Sequence, residues 1–166
     1  TELTVRALGD RVNKWITLNE PQCFVNGHGN AHHAPGLTLD KVSMVRLIHN
    51  VLLSHGRAVQ AVRGAGGPDA QAGFAPVGIT AIPWEDTPEA REAAWSYMGE
   101  IHDLRPEGLA WNNSLWMDPV FFGRYPQPYL DHYGRYLPGS YEDDLEVIKE
   151  PTDFLGLNIY HGQLLA

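Results

Sequence analysis

The sequence predicts an α/β fold of consecutive parallel β/α units, and three observations carry that expectation. Short, nearly continuous apolar runs stand at residues 14–19, 76–82 and 154–160. Stretches with helical spacing separate them, so the order is strand, helix, strand, helix, strand. Strands without polar alternation are buried on both faces, as in a parallel sheet covered by helices. Periodicity alone leaves open whether three such units belong to a closed barrel of eight or to an open doubly wound sheet.

Each element has its own warrant. Leu3, Val5, Leu8 and Val12 give the first residues a helical pattern. Residues 14–19 (Lys-Trp-Ile-Thr-Leu-Asn) are short, apolar and rich in β-formers. Residues 21–37, rich in Gly and His, read as a loop. Val42, Val45, Ile48, Leu52, Val59 and Val62 then recur at spacings of three, four and seven, a helix of five or six turns capped by Thr38 or Asp40. Residues 64–69 (Gly-Ala-Gly-Gly-Pro-Asp) stop it. After the second strand, Thr87-Pro88-Glu89 starts a helix reaching about Leu104, with a cap, Pro at the first position and an acid in the first turn. Residues 105–138 are aromatic and broken by Pro and Gly, with short helices at most. Residues 142–150 read as a short helix before the last strand.

Composition narrows the function classes. The 166 residues carry 12 basic and 20 acidic side chains, a net charge of −8, which argues against nucleic acid and anionic membrane surfaces as partners. A hydrophobic share of 43% supports a real core. No apolar run approaches the ~18 residues of a transmembrane helix. The single cysteine, Cys23, excludes an internal disulfide framework and a Cys-rich zinc site. With no signal segment visible, a cytoplasmic location is expected. Thr1 opening inside a helical pattern, and an end directly after a strand, lead us to expect a fragment. No Gly-x-Gly-x-x-Gly or Walker sequence follows a strand.

Glu20 is the strongest candidate for chemistry. It lies just past the C-terminal end of a buried strand, where β/α barrels place their sites, with Asn19 beside it as donor and acceptor. Pro21 disfavours the right-handed helical region for Glu20. The plainer reading is a strand-end turn with a solvated carboxylate. Glu85 and Asp86 follow the second strand, but Asp86-Thr87-Pro88-Glu89 is an ordinary helix start. His28, His32 and His33 with Cys23 are metal ligands by type. Neighbouring glycines and Pro35 deny them one helical face, and His49 and His55 are six residues apart. Cys23 reads as a buried free thiol, and Trp84, Trp111 and Trp116 as core or sugar-stacking rings.

Five stretches then resemble one family in its own order. Thr17-Leu18-Asn19-Glu20-Pro21 is similar to the acid/base signature of glycoside hydrolase family 1, the β-glucosidases and their relatives. His33-Ala34-Pro35-Gly36, the 49–56 helix, Asp118-Pro119 with 121–126, and 153–160 resemble its later motifs.

The resemblance implies a (β/α)8 TIM barrel, with residues 1–166 as a partial barrel domain, without internal boundary, from the end of the third helix through the sixth strand. It implies a retaining β-glycosidase, most simply a β-glucosidase, that acts on β-glucosides or small oligosaccharides without cofactor or metal. Glu20 would be the general acid/base and Asn19 would hold the sugar 2-hydroxyl. Tyr160 would bond the nucleophilic carboxylate, and Asn158 would stand at the same rim. The family's nucleophile motif, Ile/Val-Thr-Glu-Asn-Gly, does not occur in this chain. Ile159, Gln22 and His161 also depart from the usual residues. The alternatives are a non-catalytic piece that binds sugar or serves structure, and a split barrel whose missing strands, or a second copy, are its partners.

Overall fold

The computed structural model describes residues 1–166. The elements run α1 (Glu2–Leu8), β1 (Lys14–Asn19), α2 (Pro21–Gly29), α3 (Lys41–Ala65), β2 (Gln71–Ala75), β3 (Thr80–Pro83) and α4 (Pro88–Gly99). They continue with α5 (Asn113–Phe122), α6 (Gln127–Tyr133), α7 (Tyr141–Ile148), β4 (Phe154–Leu155) and β5 (Gly162–Leu165). Single 3-10 turns lie at Leu109–Trp111 and Gly134–Tyr136. β1, β2 and β4 pair in parallel in that order, so successive β/α units sit side by side without reversal, as in the wall of a β/α barrel. The last two strand segments then pair again: a bridge joins Val77 to Asn158, and β3 pairs with β5 in a second parallel sheet at the rim.

Several expectations need correction. The second wall strand is β2, not 76–82; residues 76–82 instead carry the bridge and run into β3. Pro76 has no N–H for a ladder, although its carbonyl accepts from Asn158 N at 3.1 Å. Residues 154–160 form only the short β4 before the bridge. Burial on both faces holds for Ala72–Ala75 but not for β1 or β4, where Ile16 and Leu155 are exposed. Helix α2 occupies the start of the expected loop: Pro21 opens it and Val25 is buried in the main core, so packing outweighs the poor propensity of Gly27 and Gly29.

The long helix α3 organises the interior. Asp40 is its cap, with Oδ1 accepting from Ser43 N at 2.7 Å. Val59 and Val62 face Ala72 and α1, covering the sheet. Val45, Ile48 and Leu52 join the larger core with Trp116, Tyr129, Tyr133 and Ile148 from α5, α6 and α7. At Gly56 the helix meets α7 so closely that a Cβ would lie 1.9 Å from Val147 O. Helix α4 starts on Thr87, whose Oγ1 accepts from Ala90 N at 3.2 Å, and ends at Gly99, short of Leu104.

His49 and His55 are both fully buried, on two sides of α3. His49 bonds Tyr125 Oη through Nδ1 (2.8 Å) and Asp144 through Nε2 (3.2 Å), tying α3 to α7. Thr17 Oγ1 donates to Gly73 O at 3.0 Å and lies 2.6 Å from His55 Nδ1. With that hydroxyl proton used, His55 Nδ1–H donates to Thr17, and Nε2 is left without a partner. A second proton would be buried with no acceptor, and burial pushes the His55 pKa down to about 4.

A histidine neutral in the fold but protonated when unfolded adds stability above its ordinary pKa of 6.5, and that stability is lost as pH falls from there towards 4. The loss amounts to about 3 kcal/mol across the window. Urea midpoints between pH 7 and 4 are expected to fall in the parent chain and to flatten in His55→Leu. An equal slope in both would remove His55 as the cause.

Candidate active site

The site forms where β1 ends. Glu20 N donates to Ala75 O at 2.8 Å, anchoring the residue to the end of β2. Its backbone then turns into the left-handed region (φ 46°, ψ 59°), with α2 beginning at Pro21. The pre-proline restriction disfavours the right-handed helical region. The structure takes a rarer alternative, one that costs a side-chain-bearing residue ~1 kcal/mol or more. This turn puts the carboxylate at the C-terminal rim of the strands.

Two donors from the β4–β5 connection meet there. Asn158 Nδ2 donates to Glu20 Oε1 at 2.8 Å and to Asn19 Oδ1 at 3.0 Å, joining both predicted rim residues with one amide. Tyr160 Oη donates to the same Oε1. Asn158 is itself fixed by the bridge, with Gly78 N donating to its carbonyl at 3.1 Å. Glu20, Asn19, Asn158 and Tyr160 are therefore one connected group. Tyr160, expected on a nucleophile, is hydrogen-bonded to Glu20 in this chain.

Two further residues of the site went unnoticed as such in the sequence. Gln22, fully buried, donates through Nε2 to Val77 O (3.0 Å) and accepts from Val77 N through Oε1 (3.1 Å), clamping α2 to the end of β2. Cys23 is half-buried rather than buried, and its thiol donates to Glu20 Oε2 at 3.5 Å. The signal was positional: residues two and three past Glu20, in the first turn of α2, turn back toward the strand ends.

Hydrogen bonds from Tyr160 first, and from Asn158 and Cys23 after it, hold the Glu20 carboxyl below its ordinary value against desolvation. The Tyr160 phenol is pushed up chiefly by the same bond, and the Cys23 thiol chiefly by burial, so both keep their protons. The ionised Glu20 is favoured by the fold above its ordinary pKa, and that preference is lost as pH falls through the lowered value. In a carbon-detected NMR titration Glu20 is expected to titrate below a free glutamate, and Tyr160→Phe to raise its midpoint. An unmoved midpoint would contradict the bond from Tyr160.

The other acids lie apart from this group. Asp86 pairs with Arg91, and Glu85 beside it is exposed. Asp153 accepts from Ala72 N and Arg63, both at 2.7 Å, at the opposite end of β2. Asp118 is half-buried in α5, where burial raises its carboxyl. No group of three or more His, Cys, Asp or Glu side chains is placed to hold a metal ion. Trp116 is core, with Nε1 donating to Ala110 O at 2.8 Å, whereas Trp84 is exposed. No helix is long and apolar enough to cross a membrane.

Fold and site together define part of a β/α barrel with a hydrogen-bonded carboxylate at its C-terminal rim. The sequence profile of Glycosyl hydrolase family 1 matches residues 1–166. Beta-glucosidase A of Thermotoga maritima is 35% identical over 158 residues, which cover 95% of this chain and 33% of the relative. Beta-glucosidase 4 of Oryza sativa subsp. japonica is 34% identical over 167 residues, covering 95% and 31%. The solved structure of the Thermotoga maritima beta-glucosidase in complex with glucoimidazole superimposes with a TM-score of 0.75 at 33% identity, covering 98% of this chain and 34% of that one. The chain belongs to glycosyl hydrolase family 1, and it spans about a third of the length of the curated relatives it matches.

Proposed function

We propose that these residues supply the acid/base half of a retaining β-glycosidase active site that acts on β-glucosides. The observation that carries the reading is the placement of Glu20, turned onto the strand rim and held through one oxygen by Asn158 and Tyr160. Such a carboxyl protonates the glycosidic oxygen and later takes a proton from the water that releases the sugar. Asn19, one residue before it, is placed to bind the sugar 2-hydroxyl, a contact that strengthens in the transition state.

A retaining site needs a second carboxylate about 5–5.5 Å from the first. The family's nucleophile motif does not occur in this chain, so on this reading the second carboxylate is supplied from outside these residues. This also accounts for the direction of the Glu20 shift. A general acid needs a raised pKa, and a neighbouring carboxylate is what raises it. In the assembled site Tyr160 would exchange Glu20 for that second carboxylate. That exchange would remove the largest lowering influence on the acid.

The test removes Glu20 in the protein that also carries the nucleophile. Glu20→Gly, which suits the left-handed backbone, is expected to trap a glycosyl-enzyme from activated aryl β-glucosides. Added azide, needing no general base, is expected to release it as β-glucosyl azide. Release of glucose alone, at the parent rate, would refute the assignment.

A further inference from the structure

Past the end of β2 the backbone groups of residues 75–78 alternate between two sides. On one side Asn158 N donates to Pro76 O and Gly78 N donates to Asn158 O, both at 3.1 Å, which is a parallel bridge at Val77. On the other side Ala75 O accepts from Glu20 N at 2.8 Å, and Val77 presents its own N–H and C=O. No strand is left there to pair with Val77, because β1 has ended at Asn19 and the chain has turned into α2.

The Gln22 carboxamide takes the place of the missing peptide group. Its Nε2 donates to Val77 O at 3.0 Å and its Oε1 accepts from Val77 N at 3.1 Å. Both residues are buried, so Val77 would lose both partners without that amide. Asn113 pairs with Ile79 N and O in the same manner from α5, at 3.0 and 2.7 Å. Gln22 differs in standing on α2, two residues after Glu20.

These bonds close a ring. It runs from Glu20 through the first turn of α2 to Gln22, across to Val77 and over the bridge to Asn158. The Asn158 amide closes it on Glu20 Oε1 at 2.8 Å. Asn158 lies outside β4 and β5, so its backbone is placed by this extension of β2. Tyr160, two residues on, donates to the same oxygen.

We infer that Gln22 is a positioning residue for Glu20: its side chain completes the sheet beside Val77 and so fixes where the Asn158 amide meets the carboxylate. A carboxamide suits this role because one planar group carries both a donor and an acceptor. The consequence for catalysis rests on Glu20 being the acid/base; the link from Gln22 to Asn158 does not.

The experiment follows the Asn158 side-chain amide signals and the Glu20 titration by NMR in the 166-residue chain. Gln22→Met keeps an unbranched side chain of similar length but makes neither bond. It is expected to move the Asn158 signals toward those of a free carboxamide. It should also raise the Glu20 midpoint, since a lost donor disfavours the ionised carboxylate.

Gln22→Glu supplies its own rescue. Protonated, the introduced carboxyl donates to Val77 O and accepts from Val77 N; ionised, it can only accept. Burial pushes such a carboxyl up while its hydrogen bonds hold Glu20 down, so at about pH 5 the first is protonated and the second ionised. The Asn158 signals of this variant should match the parent there, and those of Gln22→Met at about pH 8. Lower stability alone would not shift one amide of the folded chain and return it with a proton.

Parent Asn158 signals in Gln22→Met overturn the inference, as does one unchanging Asn158 position in Gln22→Glu at both pH values. If Gln22→Met does not fold, Gln22→Glu carries the test alone. A failed azide experiment beside a positive result here would remove the acid/base reading and leave the link between Gln22 and Asn158.

Discussion

Replacing Glu20 by glutamine, in the protein assembled with its nucleophile, is expected to slow hydrolysis of alkyl β-glucosides by ~10²–10⁴-fold, the usual worth of a general acid. The amide keeps an acceptor for Asn158 and Tyr160, so the rim geometry survives while the transferable proton is lost. A nitrophenolate leaves without protonation, so its glucoside should lose far less in the first step. A plot of log(kcat/KM) against leaving-group pKa should therefore be markedly steeper in the variant. Parallel plots would mean that Glu20 gives no proton to the leaving oxygen.

The second large effect concerns the fold. Gly56→Ala puts a methyl group 1.9 Å from Val147 O and 2.6 Å from Val147 C, backbone atoms at the end of α7 that cannot swing aside. Either α3 and α7 separate, with Ile148 leaving the core, or the helix bends. A loss of ~3 kcal/mol or more is expected, at the upper end for overpacking. Gly64, on the same helix, has nothing within 4 Å of its added Cβ. There alanine should gain about 0.5–1 kcal/mol from helix propensity. Urea denaturation of the two variants should give opposite signs, and equal midpoints would contradict the close approach at Gly56.

What the sequence disclosed followed the strength of local signals. β1, the span of α3 and the cap of α4 were legible because apolar spacing, Asp40 and Thr87-Pro88 all agree with the final packing. β2 was not, because Gln-Ala-Gly-Phe-Ala is a weak strand by propensity. Its Gly73 is there for the Phe154 ring, which sits where a Cβ would go, a partner 81 residues away that no local window contains. α2 was hidden for a like reason, since its glycines speak against a helix and its buried contacts come from elsewhere in the chain.

Of the site, Glu20 and Asn19 could be read from a strand end, whereas Asn158 and Tyr160 came from the family resemblance. That both reach the same oxygen of Glu20 is a tertiary fact. So are the roles of Gln22 and Cys23, which depend on how the first turn of α2 faces β2.

The left-handed backbone at Glu20 has a consequence for how this chain can evolve. Glycine would adopt that conformation without the steric cost a side chain incurs, so relief of this turn favours losing the carboxylate, against the hydrogen bonds that Asn158, Tyr160 and Cys23 give it. On the proposed acid/base role, a lineage released from hydrolysis could relax this turn through position 20, and one still under selection for turnover must keep the less comfortable residue there. Under that role, the backbone of the turn and catalysis ask for different amino acids at position 20.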